Sequence, residues 1–425
     1  MMIPTWVFKI LIIFLVYGPG SQAQICSEVD RAALLGFKAR ILTDTTGILS
    51  SWIGKDCCNG GWEGIQCDRV TGRVTQVMLQ RSFEKDSAIY MKGTLSPTLG
   101  DLKFLEILVI SGMKRLSVRS HQVFQARFQS FWAGSNLSLL DLSNNQLSGP
   151  IPDSLCNLYK LQGLSLSNNE LTGQLPPEIG RLKSLTTLSL GFNRLVGQIP
   201  TSISQLHNLW YLNPSRNALS DPLPYDALVK GIPSLLSIDL SYKKFNLVTI
   251  PKWITSRHLS DVHLAGCNLK GFLPIFTKPY SLTSIDLSDN HVTGGITSLF
   301  QKMSSLQKVK LSNNQLRGNL SELSIPNGLA VLDLHSNQLP GSLSGLLRSA
   351  GGFLETVDLS NNQITGNIPS TISKLVGLKR FDVSRNHITD RFIFTRFVDS
   401  ATYRTKPPYE TLSTISGHRR LGFLN

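Results

Sequence analysis

Between Leu137 and Asn386 apolar residues return in one frame: a leucine, two variable residues, a leucine, one variable residue, a leucine, two more, then an asparagine. Asn145, Asn169, Asn193 and Asn217 lie 24 residues apart, and Asn290, Asn314, Asn337, Asn362 and Asn386 continue the series. Eleven units begin at Leu137, Leu161, Leu185, Leu209, Leu235, Leu259, Leu282, Leu306, Leu329, Leu354 and Leu378, and two degenerate ones precede them near Val74 and Leu105. The central L-x-L alternates with period two, which predicts a short strand in every unit. In the copy from Leu161, Leu164 and Leu166 face inward and Ser165 and Ser167 face a concave side. Asn169 falls where the chain must turn. Its carboxamide carries donors and an acceptor, so it can satisfy backbone groups that water does not reach. One unit cannot bury its own leucines, so the units must stack, and their asparagines then form a buried ladder.

The second half of the unit reads G-x-I/L-P, as in Gly149 to Pro152, Gly173 to Pro176, Gly197 to Pro200, Gly271 to Pro274 and Gly366 to Pro369. Glycine permits a positive φ, and proline stops a long helix from forming. With this half added, the pattern resembles the plant-type extracellular leucine-rich-repeat family over roughly residues 26 to 390. The resemblance implies an α/β solenoid: a right-handed superhelix with a parallel concave sheet, spanning residues 69–390 in about thirteen repeats. Three departures matter. Lys243 and Cys267 take asparagine positions, and lysine there is expected to interrupt the ladder. Pro214 replaces a strand leucine and removes a ladder donor. Residues 113–136 carry no repeat pattern and read either as a looped-out insertion or as a scar of lost coding sequence.

Residues 1–23 have the layout of a secretory signal: Lys9, an apolar run from Ile10 to Tyr17, and small residues before Gln24. The run is too short to span a bilayer comfortably. Residues 24–68 follow as a candidate cap over the open end of the first repeat. Leu34, Phe37 and Ile41 are spaced for one helical face. Four of the six cysteines, Cys26, Cys57, Cys58 and Cys67, cluster here, and in an exported protein this suggests disulfides. The segment resembles the amino-terminal cap of plant extracellular repeat proteins, and that resemblance implies the pairs Cys26–Cys57 and Cys58–Cys67. Cys156 and Cys267 stand in separate repeats and read as buried thiols. Asn136 and Asn319 begin N-x-S sequons and are candidate glycosylation acceptors.

No nucleotide-loop, zincin, nucleophile-elbow or kinase motif is present, so no catalytic residue and no cofactor is expected. The eight histidines have no metal-ligand spacing, no metal is expected, and His207 and His335 read as repeat-surface residues. The net charge is +14. Export and the lack of a nucleic-acid module argue against nucleic-acid binding. A basic exported protein would be drawn to anionic pectin or another wall glycan. Asp141, Asp239, Asp286, Asp333, Asp358 and Asp382 recur at one concave position, and serines mostly follow two residues later. A local Asp–Ser hydrogen-bond ladder is the favoured reading over an acidic stripe for a cationic partner. The least repetitive patch is Phe192, Trp210, Tyr211, Arg216, Tyr242 and His263, on concave positions of four adjacent repeats. Exposed aromatics and arginine are typical interface anchors, so these six are the candidate ligand-binding residues.

After Asn386 the pattern stops, and residues 391–425 form a non-repeat tail in which no membrane span or paired cysteines are found. Truncation of a longer gene is the expectation. The resemblance implies extracellular recognition of a protein or peptide, receptor-like and without a kinase domain, in plant cell-surface signalling or defence. A receptor kinase acting as co-receptor, or sequence missing from this chain, would have to pass the signal on. The alternative is a secreted wall protein like the polygalacturonase inhibitors, which share the repeat and the cap; the number of units here and the missing end cap argue against it.

Overall fold

The computed structural model describes residues 25–59, 61–80, 88–117, 136–242, 247–389 and 402–404. Its spine is a fifteen-stranded sheet with one three-residue strand from each regular repeat. The strands run parallel and in register: Leu164 sits level with Leu140 on one side and Leu188 on the other, all three essentially without exposure. Only the strand Ile65–Cys67 at the cap end pairs antiparallel, with Val74–Gln80. Parallel pairing follows from the repeat, because each strand is regained only after a complete turn of the coil. Where Pro214 lacks an N–H, the strand Tyr211–Asn213 pairs with its successor over two residues instead of three, as its sequence predicts.

The asparagines form the expected ladder. Asn193 Nδ2 donates to Leu166 O of the preceding unit at 2.9 Å and to Leu190 O of its own at 3.0 Å, while its Oδ1 accepts from Leu171 N at 3.0 Å. Asn169, Asn217, Asn290, Asn314, Asn337, Asn362 and Asn386 repeat the scheme. At Cys267 the thiol Sγ donates to Leu240 O at 3.2 Å in the same sense. Lys243 lies outside the described residues.

The glycines Gly149, Gly173, Gly197, Gly271 and Gly366 all have φ between 74° and 91°, as the G-x-I/L-P half requires. The prolines after them hold the convex side to short turns such as Asp153–Asn157, Thr201–Gln205 and Ser370–Lys374.

In the cap, the helix Glu28–Lys38 buries Leu34 and Phe37. Ile41 does not continue that face: the helix has ended, and Ile41 opens a strand to Asp44 that pairs with Met91–Thr94. Trp52 and Trp62 are buried and stacked at 5.3 Å, with each indole N–H donating to a backbone carbonyl. The disulfides are Cys26–Cys57 and Cys58–Cys67. Fully buried Asp30 accepts from Arg73 Nε and Nη2 at 2.9 and 2.8 Å and from Val74 N at 2.8 Å, which ties the cap helix to the start of the solenoid sheet.

Two boundaries are corrected. Lys114–Ser117, at the start of the segment expected to leave the register, is a strand paired in parallel with Met91–Thr94. Thr402–Arg404, within the tail expected to carry no repeat, pairs in parallel with Arg380–Asp382. Residues 118–135, the rest of the tail and the amino-terminal 1–23 lie outside the described residues. Among the described residues, no helix is long and apolar enough to cross a membrane.

Candidate functional site on the concave face

The six candidate residues fall on neighbouring coils but at two different places. Tyr211 opens the strand Tyr211–Asn213 and Trp210 directly precedes it, while His263 closes the strand Asp261–His263. Phe192, Arg216 and Tyr242 are not on the sheet. They occupy the left-handed position just before the ladder residue, with φ of 57°, 49° and 51°. The sequence pattern did not separate these sites because both count as variable positions. Elsewhere this position holds Asn144, Asn168, Asp289, Asn313 and Asn361, residue types that tolerate left-handed backbone best, together with Gly266, Ser336 and Arg385. The two aromatics, Phe192 and Tyr242, run against local preference there and set the edge of the sheet at these coils apart.

The edge residues interlock. The Arg216 guanidinium lies 3.7 Å from the Tyr242 ring centroid and 4.9 Å from that of Phe192, a cation between two π faces. The Tyr242 hydroxyl donates to the Asp289 carboxylate, two coils on. Its reach depends on Gly266, which fills the intervening edge position at φ 62°: a Cβ there would stand 2.6 Å from Tyr242 Cδ1. Asp289 also accepts from Asn313 Nδ2 at 2.7 Å. Burial, followed by the Asp289 contact, pushes the Tyr242 phenol up to about 12.

On the sheet, Trp210 and Tyr211 form a tilted pair at 5.9 Å. The Tyr211 hydroxyl accepts from Asn213 Nδ2 at 3.1 Å, and burial raises its pKa. Leu236, 44 % exposed, follows Trp210 on the next coil through a Leu236 N to Trp210 O bond of 2.9 Å. His263 Nε2 is 3.0 Å from Ser284 Oγ. The patch thus splits into an edge brace, Phe192–Arg216–Tyr242–Asp289, and a more open apolar step, Trp210–Tyr211–Leu236. Leu236, Gly266 and Asp289 were missed in the sequence. A glycine where other coils carry a side chain was the available signal for Gly266, and nothing marked the other two.

The recurring aspartates behave as the favoured reading predicts. Asp358 Oδ1 accepts from Ser360 N at 3.1 Å and from Ser360 Oγ at 2.7 Å, and Asp382 binds Ser384 at the same distances. Asp141 and Asp239 accept from the backbone N–H two residues on, at 2.9 Å. Lys310 stands within this row, in register with Asp286 and Asp333, and Lys308 opens the same strand. Burial, and then the neighbouring Lys310, lower the Lys308 pKa. The sequon residues lie away from the patch: Asn319 is exposed and caps the turn Leu320–Glu322, and half-buried Asn136 accepts from Lys160 Nζ at 2.6 Å. Buried Cys156 has its thiol pushed up to about 12, chiefly by burial.

Residues 27–68 match the leucine rich repeat N-terminal domain, and 136–158, 160–182, 184–206, 281–303 and 353–375 match the Leucine Rich Repeat model. The chain is 35 % identical over 173 residues to receptor-like protein EIX1 of Solanum lycopersicum, covering 37 % of this chain and 16 % of that one. Among solved structures it is similar to a TDR receptor (TM-score 0.53, 25 % identity, 70 % of this chain and 58 % of that one). It is also similar to the plant peptide hormone receptor RGFR1 in complex with RGF2 (TM-score 0.50, 26 % identity, 69 % and 53 %). The chain spans less than two thirds of each of these relatives. It is an α/β leucine-rich-repeat solenoid with a disulfide-bonded amino-terminal cap, and its relatives are plant receptor-like proteins and receptor ectodomains.

Proposed function

We propose that the chain is an extracellular, receptor-like recognition module of plant cell-surface signalling or defence, which binds a protein or peptide segment across the concave face. Its role in this reading is binding, with a receptor kinase as co-receptor for any signal. The carrying observation is the open apolar step Trp210–Tyr211–Leu236, set beside an edge whose aromatic and arginine residues are fixed by mutual stacking. Partly exposed aromatics on a rigid sheet are low-entropy anchors, and a braced edge keeps their surroundings preorganised. The similar plant peptide hormone receptor RGFR1, solved in complex with RGF2, supports the same ligand class.

Secretion into the wall space and glycans on Asn136 and Asn319 belong to this reading, with exposed Asn319 the more accessible acceptor. The +14 charge supports an additional, salt-sensitive attraction to pectin. The test is a binding measurement on the full secreted chain against a synthetic panel of secreted plant peptides, repeated with Trp210→Ala/Tyr211→Ala. The double variant should lose most of the affinity while its thermal unfolding stays that of the parent. Unchanged affinity would remove this site, and inhibition of a fungal polygalacturonase by the parent chain would redirect the assignment to the wall-inhibitor alternative.

A further inference from the structure

The repeat provides its own control, because each solvent-facing position can be compared across ten other copies. Two residues past the third strand residue, eight copies carry serine and the others Gly191 or Ala265; the unit from Leu329 alone carries histidine, His335. The neighbouring carboxylates are unusual too. The strand register sets Asp333 directly beside Asp358, and Asp358 beside Asp382. Like charges facing each other on adjacent strands repel. The Asp358/Asp382 pair is bridged by a built-in cation: Arg380 Nη2 stands 2.8 Å from Asp358 Oδ2 and 4.0 Å from Asp382 Oδ2. The Asp333/Asp358 pair is met instead by the His335 imidazole, whose Nδ1 is 2.7 Å from Asp333 Oδ1. Ligand atoms of Asp333, His335 and Asp358 all lie within 4.8 Å of one another.

We propose that Asp333, His335 and Asp358 form a binding site for a divalent first-row transition cation on the concave face. One imidazole and two carboxylates are a donor set that such ions accept, with water completing the shell. Binding would replace the His335–Asp333 hydrogen bond by two metal bonds and draw Asp358 away from Arg380, whose side chain is 52 % exposed and has room to turn outward. The groups facing the cluster set the balance. Asp289 adds negative charge, whereas Lys310, the register partner of Asp333, and Arg380 oppose a cation. The sequence hid this arrangement because two ligands stand next to each other on one coil and the third comes from the next.

Titration calorimetry of the full chain with ZnCl₂ near neutral pH tests the site. His335→Ser installs the residue of eight other copies, so the coil should keep its fold. It should weaken Zn²⁺ binding on the order of tenfold or more. Arg380→Thr, which copies the neighbouring Thr356, removes the competing cation and should strengthen binding severalfold. Equal Zn²⁺ affinity in the parent and His335→Ser, or no gain in Arg380→Thr, would overturn the proposal and leave His335 as a hydrogen-bonded substitute for serine.

Discussion

The coils from Leu137 to Leu209 and the coils from Leu235 to Leu259 solve one problem in different ways. In the first group Asn169, Asn193 and Asn217 each donate to carbonyls of two successive coils and accept an N–H from the earlier one, whereas Asn145 donates to Ile110 O and Leu142 O but its buried Oδ1 accepts from no described residue. In the second group the position before Asn290 is Cys267, whose thiol donates to Leu240 O but offers only a weak acceptor. Asn290 compensates in part, since its Oδ1 accepts from both Cys267 N and Leu269 N. Beside this thinner stretch of ladder runs the Phe192–Arg216–Tyr242–Asp289 brace along the sheet edge. Side-chain stacking at the edge thus supports coils that the backbone ladder holds less tightly, and the aromatic surface sits where that exchange occurs.

The largest test of this contrast is the ladder itself. Asn193→Ala would orphan buried groups on two coils and should cost roughly 3 kcal/mol in denaturant unfolding, against about 1 kcal/mol for Cys267→Ala. Equal costs would erase the distinction. Arg216→Ala removes the cation shared by two rings and should cost about 1–2 kcal/mol; a loss confined to ligand binding with unaltered stability would show that the row is an interface and not a brace. Gly266→Ala puts a Cβ against Tyr242 at a left-handed residue and should cost about 1 kcal/mol, with Tyr242 fluorescence reporting displacement from Asp289.

The smallest effect is a pH dependence in the regular coils. The hydrogen bond to Asp333 raises the His335 pKa above its ordinary value despite the opposing effect of burial. The stabilisation is therefore complete below the unfolded value of about 6.5 and is lost as pH rises through the higher folded value. The melting-temperature gap between the parent and His335→Ser should be widest in mild acid and close at alkaline pH, and a gap that widens with pH would contradict the assignment.

Strands, ladder, glycine turns and cap were legible in the sequence because each is set by a residue type at a fixed spacing. Leu164, Asn169, Gly173 and Cys58 act locally or through one neighbouring coil. The disulfide pairs came from family resemblance. The site was legible only as a set of unusual residues. That Phe192, Arg216 and Tyr242 leave the sheet depends on the backbone turning left-handed one residue before the asparagine, and a leucine count does not carry that information. The reach of Tyr242 to Asp289 skips a whole coil and exists because Gly266 lacks a side chain. The Asp333–His335–Asp358 cluster likewise arises from register between coils, where no contiguous motif can form.

The proposed recognition through the concave face around Trp210 is tested by hydrogen–deuterium exchange on the full chain with and without a bound peptide selected from a displayed library. Protection should concentrate in 186–242 on the strand and edge segments carrying Trp210, Tyr211 and Leu236, and Trp210→Ala/Tyr211→Ala should abolish it. Protection confined to the convex turns, or unaltered in the double variant, would contradict the proposal.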